Sequence, residues 1–311
     1  MRDKNNTITQ RYEWLDVAKG IAILLMILGH TSVPEPVNRF IFAFHMPLFF
    51  IASGYCTNWG KNTFLKFLAH KSRTLLVPFF IYSALVLLIG VPTGQMDLIG
   101  VLKGGWASNC YPLWFVSILF FSLLLAKGIM AISNEKLRLF VWLSMAVVGS
   151  ILKYKLIYLP YTLSPVFYAS FLLIAGTYAK KLECFIISPQ WWALVFSFFI
   201  TAIISHFWKV NMSWNTINPV FFITLGAFSG TYMIFGVSSI IERKMHFSTR
   251  ILTFFGKETY VLLAFSSIVP STIDVVYPMN AVIKYLITFS ILLLIIYLKN
   301  KVNKAVGYNL L

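Results

Sequence analysis

WLDVAKGIAILLMILGH, residues 14–30, decides the fold: it is an apolar run of helical length, broken only by Asp16, Lys19 and His30. Apolar stretches of about 17 to 23 residues recur along the chain, and each is long enough, at about 1.5 Å per helical residue, to cross a hydrocarbon layer of about 30 Å. The 311 residues are 59% hydrophobic and only 12% charged, where a soluble domain carries roughly one quarter charged residues. A closed barrel would display short alternating segments instead. Helices therefore remain as the way to satisfy the backbone in lipid. The expectation is an all-α, polytopic membrane protein of about ten spans, placed at 15–33, 38–56, 74–91, 112–132, 138–153, 164–179, 190–208, 215–237, 251–270 and 279–298.

Charge placement gives these spans a direction. Arg39, Lys103, Lys153, Lys155, Lys209 and Lys284 fall on one side, while every other Lys and Arg, from Arg2 and Lys19 to Lys301 and Lys304, falls on the other. So large a bias over short loops puts the richer side, with both termini, in the cytoplasm. It also accounts for the net charge of +16 without nucleic acid, for which no segment is long and polar enough. No internal repeat or low-complexity tract is visible, so residues 1–311 are expected to form a single membrane domain with no separate soluble catalytic unit. The longest piece between spans, Pro92 to Tyr111 with Gly94, Gly100, Gly104 and Gly105, is expected to be an outer loop or re-entrant segment. Cys56 and Cys184 fall on the cytoplasmic side and Cys110 on the outer side, so no disulfide is expected. The first apolar run follows basic residues as a signal peptide would, but no small-residue cleavage site follows, and it is expected to be retained.

Chemistry must then come from groups on or between spans. Lys19 and His30 are eleven residues apart, about three helical turns plus 20°, so both project from one face at a separation of about 16 Å along the axis. Two readings fit Lys19 and Asp16: a pair at a helix end that reaches water, or part of a polar line across the bilayer. An imidazole inside a span faces a bundle interior or a watery path, which makes His30 a functional candidate. In RFIFAFHMPLFFIASGY, residues 39–55, Pro47 frees a backbone carbonyl, and His45 is expected at a depth similar to His30. Paired imidazoles suit proton transfer, and a hydrogen bond to a neighbouring helix suits His45 equally. Glu35, in the turn after His30, either orients an imidazole or is simply solvated. Trp114 and Ser117 in PLWFVSILF, and Glu258 in FFGKETYVLLAFS, are possible supporting residues that interfacial positions also explain. No metal site is expected, because the five histidines lack carboxylate or thiol partners at ligand spacing. No phosphate-cradling glycine loop is present.

LDVAKG followed by IAILLMILGH, then FHMPLFFIASGY, resembles the start of the acyltransferase family 3 proteins, membrane O-acyltransferases that modify bacterial surface glycans, and is most similar to their fucose 4-O-acetylase-like subgroup. The likeness is strong over the first two spans and looser over PLWFVSILF and GKET. Relatives often carry Arg at the position of Lys19, so the charge is kept but the bidentate fork is lost. They often end the GKET-like segment in Tyr and His, where Leu263 and Ser266 stand here.

The resemblance implies that His30 is the catalytic histidine and that Lys19, with Asp16 beside it, receives an acyl donor, usually cytoplasmic acetyl-CoA, consumed as a co-substrate with no permanently bound cofactor. The acceptor it implies is a hydroxyl of a glycan or lipid-linked glycan at the outer face of the bacterial cytoplasmic membrane, with membrane lipids as the surrounding partner. An imidazole with an ordinary pKa of about 6.5 is a suitable base, and His45 would act as an acid or bond the oxyanion. Ending at Leu311, the chain would complete the transfer alone or hand over to another protein. A transporter or flippase lined by the same His and Lys, or a non-catalytic assembly subunit, are the competing classes.

Overall fold

The computed structural model describes residues 12–99, 101, 111–157, 159 and 163–306. Arg2, Lys4, Arg11, Gly100, Lys103, Gly104, Gly105 and Cys110 lie outside the described residues. The architecture is helical throughout, with one isolated β-bridge, Asn211 to Thr216, among the described residues. The principal helices are α1 (Glu13–Gly29), α2 (Glu35–Cys56), α3 (Phe64–Gly90), α4 (Trp114–Met130), α5 (Glu135–Tyr154), α6 (Val166–Ala179), α7 (Trp191–Phe207), α8 (Val220–Lys244), α9 (His246–Lys257), α10 (Thr259–Phe265), α11 (Ile268–Val276) and α12 (Ala281–Val306).

Among the described residues six stretches are long and apolar enough to cross a membrane: α2, α3, α5, α8, the α10–α11 stretch and α12; α4 and α7 are shorter apolar helices. Each expected span overlaps helix, although the eighth begins before its helix starts at Val220 and the ninth, 251–270, is not one rod. It breaks between α9 and α10 at Glu258, which leaves helical geometry at ψ 14 and turns its carboxylate to an ion pair with Lys299 on α12. A second break falls before Ile268. The Glu258 side chain is 14% exposed, and its carboxylate finds a countercharge on α12 at the point where the span breaks.

Two helices turn large apolar residues outward from the apolar core. On α5, Phe140, Leu143, Val147 and Ile151 form an exposed stripe at three- and four-residue spacing, the face a lipid chain would cover. On α7 the exposed face is Trp192, Phe196, Phe199 and Ile203, while Ser197, Thr201 and Ser205 point inward, and α7 packs along α8. Small polar residues inside and large apolar ones outside are what association in hydrocarbon favours, since apolar burial alone brings no helices together there.

Glycines set the closest crossings. Gly20 on α1 faces Leu252 on α9, and Gly256 on α9 faces Asp16 on α1; a Cβ at either would lie 2.1 or 1.9 Å from the opposing carbonyl oxygen. The pairing Gly54–Leu173 and Gly176–Ile51 joins α2 to α6 in the same reciprocal way. Backbones thus meet directly at α1–α9 and α2–α6, which fixes α1 and α2 side by side in the bundle.

Gly176→Ala, whose Cβ would stand 2.0 Å from the Ile51 oxygen, should therefore lower the thermal midpoint in detergent by an amount corresponding to about 1–3 kcal/mol. Gly128→Ala on α4, with no atom within 4 Å of the added carbon, should not. Equal midpoints for the two variants would contradict the close crossing.

Candidate active site

The two ends of α1 carry different chemistry. At its N-terminal end, a cavity of about 560 Å³ lies between α1, α2, α3, α4 and the 57–63 linker, within the range of about 300–1,000 Å³ usual for small-molecule sites. Among the described residues its polar lining is Lys19, Ser53, Cys56, Thr57, Asn58, Lys61, Asn62, His70 and Lys71, with no carboxylate. Leu15, Ala52, Phe67, Leu119 and Leu123 make its apolar wall. Lys19 is held by Asp16 at 2.6 Å. Asp16 is buried, one helical turn before the lysine on α1, so the pair reaches the cavity through Lys19 rather than through the acid.

The linker that forms one side of this cavity is pinned from beneath. Lys127 on α4 donates to the carbonyl oxygens of Trp59 and, at 2.8 Å, of Asn62, and the Trp59 indole donates at 2.8 Å to Thr177 on α6. Neither contact is visible in the sequence, because each joins residues far apart in the chain. The basic loop residues Lys61 and Lys71 were legible only as part of the charge bias.

At the other end of α1, His30 occupies the C-cap position, its backbone N–H donating to Met26 and Ile27. Its half-buried ring meets the Phe42 ring edge-on at 5.7 Å, and Phe42 meets His45 at 4.7 Å. One aromatic ring thus contacts both imidazoles. Gly29 permits this: a Cβ there would lie 2.8 Å from the Phe42 ring. His45 is buried and its Nδ1 lies 2.9 Å from the Ile41 carbonyl oxygen. A carbonyl only accepts, so Nδ1 carries the proton, and the neutral ring presents Nε2 as an acceptor. Among the described residues no side chain hydrogen-bonds the His30 ring.

Lys19 and His30 both turn toward α2. Between them the same stripe carries Ile23 and Met26, both fully buried, and the cavity's lining includes neither histidine. The remaining candidates lie apart. Glu35 pairs with Arg39 at 2.6 Å and, with His206, borders a separate surface pocket, so it engages a guanidinium rather than an imidazole. Ser117 donates to the Trp114 carbonyl at 2.8 Å within its own helix, Trp114 packs on Phe115, and Glu258 is bound to Lys299. Leu263 and Ser266 are buried, the serine donating to the Leu263 carbonyl.

Residues 12–300 match the acyltransferase 3 family, described as an acyltransferase domain. The chain belongs to that family. Its apolar helices fit a multi-pass membrane member of that family. A stretch of 134 residues is 28% identical to nodulation protein NolL of Sinorhizobium fredii strain NBRC 101917 / NGR234, covering 36% of this chain and 35% of that protein, so only about a third of the relative's length is matched. No solved structure gives a significant match.

Cys56 offers a reporter on the cavity, being exposed and part of its lining. In a Cys110→Ser, Cys184→Ser background, an anionic thiosulfonate should modify Cys56 roughly tenfold faster than a cationic one of similar size, and the difference should shrink as salt is added. Equal rates, or a faster cation, would contradict a basic cavity.

Proposed function

We propose that this acyltransferase moves an acetyl group from cytoplasmic acetyl-CoA to a hydroxyl of a surface or lipid-linked glycan, with His30 as general base. The observation that carries the reading is the cavity with three lysines, and no carboxylate among the described residues, at the opposite end of the helix that terminates in His30. Nucleotide phosphates suit such a lining, since ammonium groups make charge-assisted hydrogen bonds to phosphate oxygens. The reading takes residues 1–311 as one domain of about ten spans in the bacterial inner membrane, both ends cytoplasmic, following the charge bias.

In this mechanism the phosphates sit among Lys19, Lys61 and Lys71, and the pantetheine arm runs along α1 toward His30. Ile23 and Met26 must part to admit it. A neutral His30 takes the proton from the acceptor hydroxyl as its oxygen attacks the thioester carbonyl; the tetrahedral adduct expels the CoA sulfur, which takes the proton back from the imidazolium. His45, with Nδ1–H committed to Ile41, serves as a second proton acceptor. Donation to an oxyanion would require its imidazolium form, so that role is not assigned to it. Asp16 holds Lys19 in place. Glu35, Trp114, Ser117 and Glu258 have structural roles.

Transfer of label from acetyl-CoA into the glycan fraction of native membranes tests this. His30→Ala should lower turnover by about 10²- to 10⁴-fold in well-folded protein, and unchanged turnover would overturn the assignment. Lys19→Ala should raise the donor KM by about tenfold with a smaller loss at saturating donor; an unchanged KM removes Lys19 from the donor site. Movement of a glycan substrate without CoA release would instead indicate a carrier.

A further inference from the structure

Lys284 is the odd cation in the chain. Lysines are sparse at the His30 end, and burying one is costly unless it is paired. Yet Lys284, in the first turn of α12, is only 2% exposed. Its ammonium lies 2.6 Å from the Asp274 carboxylate on α11 and donates at 2.9 Å to the Ser32 hydroxyl. One clasp therefore joins α11, α12 and the turn that directly follows His30.

That turn is held from several directions. Ser32 has φ 62, the left-handed region that residues with a Cβ seldom enter without support. Thr31, fully buried, donates to the Leu28 carbonyl at 2.8 Å, and Asn38 on α2 donates to the Gly29 carbonyl at 2.7 Å. These bonds satisfy carbonyls left over at the end of α1, and a cation near a helix C-terminus also suits its dipole. The Lys284 contact is the tie that fixes Ser32 itself.

We infer that Lys284 is a positioning residue: through Ser32 it fixes the turn after α1 and so sets where the His30 ring stands against Phe42 and the acceptor hydroxyl. The inference rests on the reading of His30 as the base. A clasp that merely joined α11 to α12 would support stability and leave turnover per folded molecule untouched. A misplacement of about 1 Å at a reacting group can cost on the order of 100-fold in rate, so a positioning role has a kinetic signature.

The experiment compares Lys284→Met, Ser32→Ala and the double variant in native membranes supplied with labelled acetyl-CoA, each normalised to folded protein. Turnover should fall roughly 10- to 100-fold in Lys284→Met and less in Ser32→Ala, with donor KM within about twofold of the parent in both. The double variant should be no worse than Lys284→Met alone, because both changes cut one connection. Unchanged turnover in Lys284→Met, or effects that simply multiply, would overturn the inference. Should Lys284→Met fail to fold, Ser32→Ala decides it, since that change leaves the ion pair intact and must still lower turnover. His30→Ala separates the two claims. If it stays active, the base assignment fails; if it is inactive while Lys284→Met and Ser32→Ala turn over normally, only the positioning role fails.

Discussion

A helix in hydrocarbon can carry an aspartate, a lysine and a histidine only if other helices close over it and give those groups partners. α1 is such a helix, and much of the architecture follows from covering it. α9 lies against one side of it at the Gly20 and Gly256 contacts, α2 lies on another, and α8 packs beside both. Asp16 finds Lys19 on its own helix, so the buried charge at that end is compensated locally. His30 instead sits where α1 stops and the chain turns, its ring against Phe42 of α2.

The bundle therefore separates two chemistries along one helix. A basic cavity lies at the Lys19 end, and two imidazoles sit at the other, with Ile23 and Met26 packed between. A thioester on a long flexible arm could span that interval while its charged part stayed outside the apolar layer.

Periodicity alone made the helices legible, because apolar runs of membrane length carry a signal that tertiary contacts rarely override. Lys19, His30 and His45 were legible for the complementary reason: ionisable groups stand out where nearly every neighbour is apolar. What stayed hidden depends on contacts between distant parts of the chain. Lys127 beneath the 57–63 linker and Lys284 beside Ser32 read in the sequence only as part of the charge bias, and the fold brings them to carbonyl, carboxylate and hydroxyl partners. The split of the expected 251–270 span was hidden likewise, since the ion pair of Glu258 with Lys299 joins residues on different helices. Glu35 was adjacent in sequence to the histidine turn, yet Arg39, one turn further along α2, is the closer and better partner.

The most direct test of the account is a structure of the full chain with a non-hydrolysable acyl-CoA bound. The nucleotide phosphates should lie among Lys19, Lys61 and Lys71, and the acyl end should lie along the α2-facing side of α1 close to His30, with Ile23 and Met26 displaced. Phosphates bound elsewhere, or an acyl group on the far side of α1 from His30, would contradict it.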